Sequence, residues 1–186
     1  MNQPPPGSSG ASAPSQDTLI SPEMHAAVGR DYLWATSYPI SESDIRRWAL
    51  AVYYPDMPPP LFWDEAHAKT TRWGGIVAPE EFNPFAWMRA EPRGDMGPEA
   101  KRPWPELYLG VEPPPTRANI VGSLEVEYGS VRMRPGDVIR SITKLGGYHE
   151  RIGRLGLMLF TNREERWVNQ RDELIRTYCQ VLIRYR

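Results

Sequence analysis

Residues 1–18, MNQPPPGSSGASAPSQDT, carry almost no apolar side chains, whereas from Leu19 onward apolar positions recur with readable periods. The first stretch cannot bury enough surface to offset its chain entropy, so a disordered tail is expected, followed by one domain over residues 19–186. Ile45, Trp48, Ala49 and Val52 form one helical stripe. Ser41 and Asp44 stand at capping-box spacing before it, and Pro55 bars its continuation. A proline run leads to DEAHAKTT (64–71), a short helix with acidic residues in its first turn. Gly74-Gly75 then breaks the chain before IVAPEEFNPFAWMRA. Pro79 suits a first helical turn and Glu80-Glu81 suit its positive end. Phe82, Phe85, Ala86 and Arg89 continue at helical spacing, so a long, largely buried helix is predicted from Pro79.

Residues 91–118 read as a Pro-rich covering loop. Beyond it the period falls to two. VGSLEVEYGSV (121–131) and the segments after it read as four long strands, with turns at RPGD (134–137), Gly146-Gly147 and Asn169–Asp172. Successive strands after a buried helix predict an α+β architecture, an antiparallel sheet wrapped around that helix.

Composition narrows the function classes. With 186 residues, 40% hydrophobic and 24% charged, the chain has room for one domain with a sizeable core. A net charge of -1 gives no electrostatic footprint for nucleic acid. The 22 basic residues divide into 19 Arg and 3 Lys, which fits a base-composition bias or a need for bidentate phosphate forks. Cys179 is the single cysteine, so neither an internal disulfide nor a Cys-based metal cluster is expected, and its apolar surroundings suit packing. No run approaches the roughly 18 apolar residues of a membrane span, and no secretion signal opens the chain; a cytoplasmic location is expected.

Three stretches, PLFWDEAHAKTTRWGGIVAPEEF, RMRPGDVIRSITKL and HERIGRLGLMLFTNREERWVNQRDELI, together resemble the MaoC-like dehydratase N-terminal domain family, whose relatives include (R)-specific enoyl-CoA hydratase 2 and FAS1-like dehydratases. The resemblance implies a hot-dog fold, with the central helix beginning near Pro79. It implies hydration of a trans-2-enoyl thioester, or the reverse dehydration, with acyl-CoA or acyl-ACP as substrate and no bound cofactor or metal. Catalytic members of the family carry an Asp and a His a few residues apart, and the pair activates water and moves a proton at the α carbon. A backbone N–H at the start of the central helix polarises the thioester carbonyl.

Carried onto this chain, the His slot falls on Phe62 and the Asp slot on Met57, with Asp56 one step out of register. A phenyl ring neither gives nor takes a proton, so both slots, Asp56 and Phe62, are degenerate. His25, His67 and His149 lie elsewhere. Gly74, Gly75, Ile76 and Val77 are retained, and they offer either an N–H for a thioester carbonyl or a close backbone approach. Phe82 and Trp63 are candidates for lining an acyl site, with plain core as the competing role. Arg132 and Arg134, beside RPGD, are candidates for the phosphates of coenzyme A, with solvated strand ends as the alternative; Arg151 and Arg154 are weaker ones. Arg171-Asp172 stands where the family has glycine in its last turn. The expected role is a non-catalytic subunit that supplies the acyl-binding half beside a catalytic Asp/His hot-dog partner. An accessory acyl-thioester-binding scaffold and a thioesterase using Glu80 or Glu81 stand as alternatives. Fatty, mycolate-type and steroid side-chain substrates all remain open.

Overall fold

The computed structural model describes residues 18–86, 104–154 and 156–185. Residues 1–17 of the expected tail lie outside these, as do residues 87–103 of the expected helix and loop. Helix α1 (Pro22–Ala27) starts with proline, where no N–H is needed, and the Ser21 hydroxyl accepts the Met24 N–H. Strand β1 (Asp31–Thr36) follows, and α2 spans Glu42–Tyr53. At its start the Ser41 hydroxyl accepts the Asp44 N–H at 3.1 Å while the Asp44 carboxylate accepts the Ser41 N–H at 3.3 Å. Such a box stabilises a helix by about 1 kcal/mol. Its stripe delivers Ile45 and Ala49 fully into the core, and Trp48 meets Phe82 edge-on with ring centroids 5.6 Å apart.

A single 3-10 turn (Pro60–Phe62) leads to α3 (Glu65–Thr70), capped by Asp64 through the His67 N–H. Helix α4 (Pro105–Tyr108) gives the Pro-rich loop a structured part. Four long strands close the chain: β2 (Ala118–Tyr128), β3 (Arg140–Gly153), β4 (Gly156–Val168) and β5 (Leu174–Tyr185). All five strands pair antiparallel in the order β1-β3-β4-β5-β2.

Three local expectations are corrected. Pro79–Ala86 is not the start of a helix but two successive turns, closed by the Phe82 N–H on Pro79 O (3.1 Å) and the Ala86 N–H on Asn83 O (3.3 Å). The cause is Asn83-Pro84. A residue before proline is driven out of the α region, and the Asn83 side chain takes the Phe85 N–H at 2.9 Å. Gly146-Gly147 is not a turn but a bulge inside β3, where the register with β4 shifts between Leu145 and Gly147. The chain reverses instead at Gly153–Gly156. Finally, β2 was expected to be half-buried, yet nearly every residue is exposed on both faces, because it is an edge strand that nothing in the described chain covers.

One ion pair fastens α4 to the sheet. Arg184 and Glu106 are both fully buried; the guanidinium reaches the carboxylate at 2.5 and 3.1 Å and also donates to Thr161 Oγ1 at 2.8 Å. Tyr148 donates its hydroxyl to the same carboxylate at 2.7 Å, and burial, then that carboxylate, push the phenol far above its usual range. Trp104 covers the guanidinium with its ring centroid 4.8 Å away. Removing one partner leaves an uncompensated buried charge. Glu106→Ala is therefore expected to lower unfolding free energy by about 3–5 kcal/mol in urea titration, and the double change Glu106→Leu/Arg184→Met to recover most of it.

Candidate functional site

The site is organised by the turn at Arg134–Asp137, whose Gly136 takes φ +86°. Asp137 is 2% exposed and accepts from the Arg134 N–H (2.9 Å) and from Gln170 Nε2 (3.1 Å), with the Arg171 guanidinium at 3.3 Å. Arg134 in turn donates to the Trp73 carbonyl at 2.7 Å, and the Ala78 N–H bonds Met133 O at 2.8 Å. The GGIVAP segment is thus laid along RMRPGD by bonds at both of its ends. Gly74 takes φ +65°, a left-handed conformation that lets the chain leave the Thr71 turn; Ile76 and Val77 descend into the core.

The residues expected at the degenerate slots differ in burial. Phe62 is 5% exposed, packed in the core cluster with Ile45, Ile76 and Phe82, its ring 5.9 Å from that of Tyr53. Asp56 is exposed, and its N–H closes the turn after α2 on Tyr53 O at 2.8 Å. Trp63 is held by its indole N–H on Pro58 O (2.9 Å) and by Arg46 on its carbonyl (2.8 Å). It floors an apolar cleft of about 590 Å³ walled by Leu50, Met57, Pro58 and Ala66, with Arg46, Asp64 and Glu65 at the rim. Phe82 lies wholly in the core.

The remaining candidates are scattered. His25, His67 and His149 are all exposed, and His149 stacks on Phe160 with centroids 4.4 Å apart. Arg134 spends its guanidinium as a brace for the Trp73 turn. Arg132 contacts Glu80 at 3.2 Å and lies over the Trp73 ring, whose other guanidinium neighbour, Arg72, carried no signal in the sequence beyond its charge. Glu81, Arg151 and Arg154 are exposed.

Farther up the sheet, Ser141, Thr143, Arg163, Glu165, Arg176, Tyr178 and Gln180 face a cleft of about 440 Å³ closed at one end by Phe85 and Trp167. Several of these polar groups are held by hydrogen bonds. Glu165 accepts from Ser141 Oγ and Trp167 Nε1, both at 2.6 Å, and Arg163 donates to Tyr32 OH at 2.8 Å. Arg176 lies 3.5 Å from the Trp167 ring centroid, and burial lowers its pKa. Among the described residues, no group of three or more His, Cys, Asp or Glu is placed to hold a metal. No helix there is long and apolar enough to cross a membrane.

An antiparallel sheet of this order, with its helices and turns gathered on one face, is the hot-dog fold of the dehydratases. A family model for the FAS1-like dehydratase domain region matches residues 26–178, and the chain belongs to that family. Among solved structures, the MaoC-like dehydratase from Rhodospirillum rubrum aligns with a TM-score of 0.52 and 17% identity over 86% of this chain and 93% of that one. The ChsH1-ChsH2 complex from Mycobacterium tuberculosis aligns with a TM-score of 0.55 and 18% identity over 83% and 84%. The C-terminally truncated HadBC (3R-hydroxyacyl-ACP dehydratase) complex from the same organism aligns at 0.52 and 16%, over 84% and 96%. At these identities the likeness is one of fold. No curated protein matches the chain in sequence.

The two glycines of the retained turn are expected to respond differently. An added Cβ at either meets open space or ordinary contact, but Gly74 sits at φ +65° and Gly75 does not have positive φ. Gly74→Ala should lower stability by about 1–2 kcal/mol, whereas Gly75→Ala should stay within about 0.5 kcal/mol of the parent in chemical denaturation.

Proposed function

We propose that this chain is the non-catalytic subunit of a heteromeric (R)-specific enoyl-thioester hydratase/dehydratase, a partner that supplies acyl-binding surface while a second hot-dog subunit supplies the Asp and His. The reaction adds water across the α,β double bond, the hydroxyl going to Cβ and a proton to Cα, and it needs a group that can exchange protons. The observation that carries the reading is Phe62. At the expected His slot stands a phenyl ring sunk in the core against Tyr53, and Asp56 is exposed on the preceding turn.

Two further observations support a partner. β2 offers an open edge of eleven residues with Ile120, Val121 and Leu124 each about half exposed. Unpaired edges of that length are templates for another strand. Two similar structures, ChsH1-ChsH2 and HadBC, are themselves complexes, and the second is described as a 3R-hydroxyacyl-ACP dehydratase. The apolar cleft lined by Trp63 is then the surface offered to an acyl chain. A thioesterase has less behind it, because Glu80 is engaged by Arg132.

The test is reconstitution with a hot-dog protein that carries the Asp/His pair and is encoded beside this chain. Crotonyl-CoA and longer enoyl-CoAs should be hydrated by the pair and by neither a Phe62→His variant nor this chain alone. Phe62→His also places a polar ring in the core, which should cost about 1–3 kcal/mol of stability. Hydration by the chain unaided would refute the non-catalytic assignment. A stable pair inactive on every enoyl thioester would favour an accessory scaffold.

A further inference from the structure

We propose that the polar cleft on the sheet face of Ser141 and Thr143 binds a free hydroxylated monocarboxylate of the aldonic-acid type. Its carboxylate is seated on Arg163 and one of its hydroxyls on Glu165. The proposal goes beyond the acyl-thioester reading and uses none of the residues on which that reading stands.

Strand register sets the groups out in rungs. Trp167 stands between Ser141 and Arg176, Glu165 between Thr143 and Tyr178, and Arg163 opposite Gln180. Alternate residues of β4 therefore present Arg163, Glu165 and Trp167 to one face. The cleft above them measures about 440 Å³, a volume suited to a small organic ligand. Its floor is polar, since Ser141 and Thr143 are 5% and 2% exposed.

Charge gives the sign of the ligand. Arg163 and Arg176 are the cations that line the cleft, and Glu165 is the one carboxylate among the lining residues. Arg163 donates to Tyr32 OH at 2.8 Å and to Gln180 Oε1 at 3.2 Å, both uncharged acceptors. Arg176 lies on the Trp167 ring, and its Nε is buried without an acceptor among the described residues. Neither arginine forms an ion pair there. Two positive groups and one negative group leave a single charge, which a monocarboxylate neutralises. The planar guanidinium edge accommodates both carboxylate oxygens.

Hydrogen-bonding capacity gives the rest of the ligand. Ser141 Oγ and Trp167 Nε1 both donate to Glu165 Oε1, which leaves Oε2 to accept. Thr143 and Tyr178, the cross-strand neighbours of Glu165, add hydroxyls on either side. Glu165 stands two residues from Arg163, about 7 Å along the strand. A ligand that meets both carries hydroxyls several carbons away from its carboxylate. An apolar acyl chain in the same place would leave these groups unpaired, so the cleft selects against it.

The experiment titrates the full chain by calorimetry with D-gluconate, with D-gluconamide, which keeps the hydroxyls and lacks the charge, and with hexanoate, which keeps the charge and lacks the hydroxyls. Gluconate is expected to bind at least about ten-fold more tightly than either, and to weaken as ionic strength rises. Arg163→Gln should lower its affinity about ten-fold or more, and Tyr178→Phe, which removes one hydroxyl, about three-fold or more. Arg151→Gln, at an exposed arginine outside the cleft, should leave it unchanged. Because Arg163 also braces Tyr32, thermal midpoints accompany each titration, and Tyr178→Phe carries the test if Arg163→Gln does not fold.

No binding of gluconate by the parent chain would overturn the proposal, as would unchanged affinity in either folded variant. Gluconamide binding as well as gluconate would refute the anion seat on Arg163. Hexanoate binding as well as gluconate would refute the hydroxyl contacts and with them the ligand class.

Discussion

The buried carboxylate of Asp137 is the constraint on which the rest of this structure hangs. It holds its own turn shut through the Arg134 N–H and draws in Gln170 and Arg171 from the last hairpin. The same turn takes the Ile40 N–H on the Asp137 carbonyl and gives the Gly136 N–H to Ile40 O, each at 2.9 Å or less, which places the entry to α2. Through Arg134 it fixes Trp73, and through Met133 it fixes Ala78. Four segments distant in sequence thus meet at one turn, whose own carboxylate is out of water. A buried charge of this kind is tolerated only when each lone pair has a donor, so the convergence of segments and the burial of Asp137 require one another.

The sheet shows a second constraint, an asymmetry between its edges. β1 is six residues long and shifts register against β3, which blunts it as a pairing template. β2 is nearly twice that length and bare. Leu124, Val126 and Tyr128 stand opposite Gln180, Tyr178 and Arg176 of β5, so they share a face with the polar cleft. Glu125 and Glu127 occupy the other face, opposite Cys179 and Thr177. An apolar row beside that polar row is covered by nothing in the described chain and lies open to a neighbouring strand. Under the proposed function, the open edge and the slots without an acid/base pair are the same incompleteness seen from two directions.

How much of this was legible depended on whether the signal was local. Ser41 and Asp44 announced a capping box, and both of its hydrogen bonds are present. GGIVAP and RPGD were informative as a pair, and the reason is physical: Arg134 to Trp73 and Ala78 to Met133 bond one motif to the other. The last hairpin closes without glycine because Asp172 itself takes φ +60°, a conformation Asp tolerates better than most residues. Pro79–Ala86 forms turns despite its helical spacing because Asn83-Pro84 disfavours the α region in what would be an early helical turn. Gly146-Gly147 looked like a turn because glycine pairs serve turns and bulges alike, and only the continuous pairing of β3 with β4 separates them. β1 lacked a clean alternation and stayed unseen. Arg72 was invisible for another reason: its meaning comes from Arg132, which only the fold brings to the same indole.

The position of Phe62 shows how such a fold accommodates a side chain that cannot exchange protons. A histidine that serves chemistry must face the substrate, whereas Phe62 turns into the cluster with Ile45 and Ile76 and gains packing there. Phe62 is therefore part of the core that supports α2 and the proline turn. Trp63, one residue on, keeps the surface role and floors the apolar cleft. Binding surface and core exchange places over a single peptide unit, and the hub at Asp137 is untouched by the exchange. The proposed service to a catalytic partner thus asks only for the turn, the cleft and the open edge, all of which this packing leaves in place.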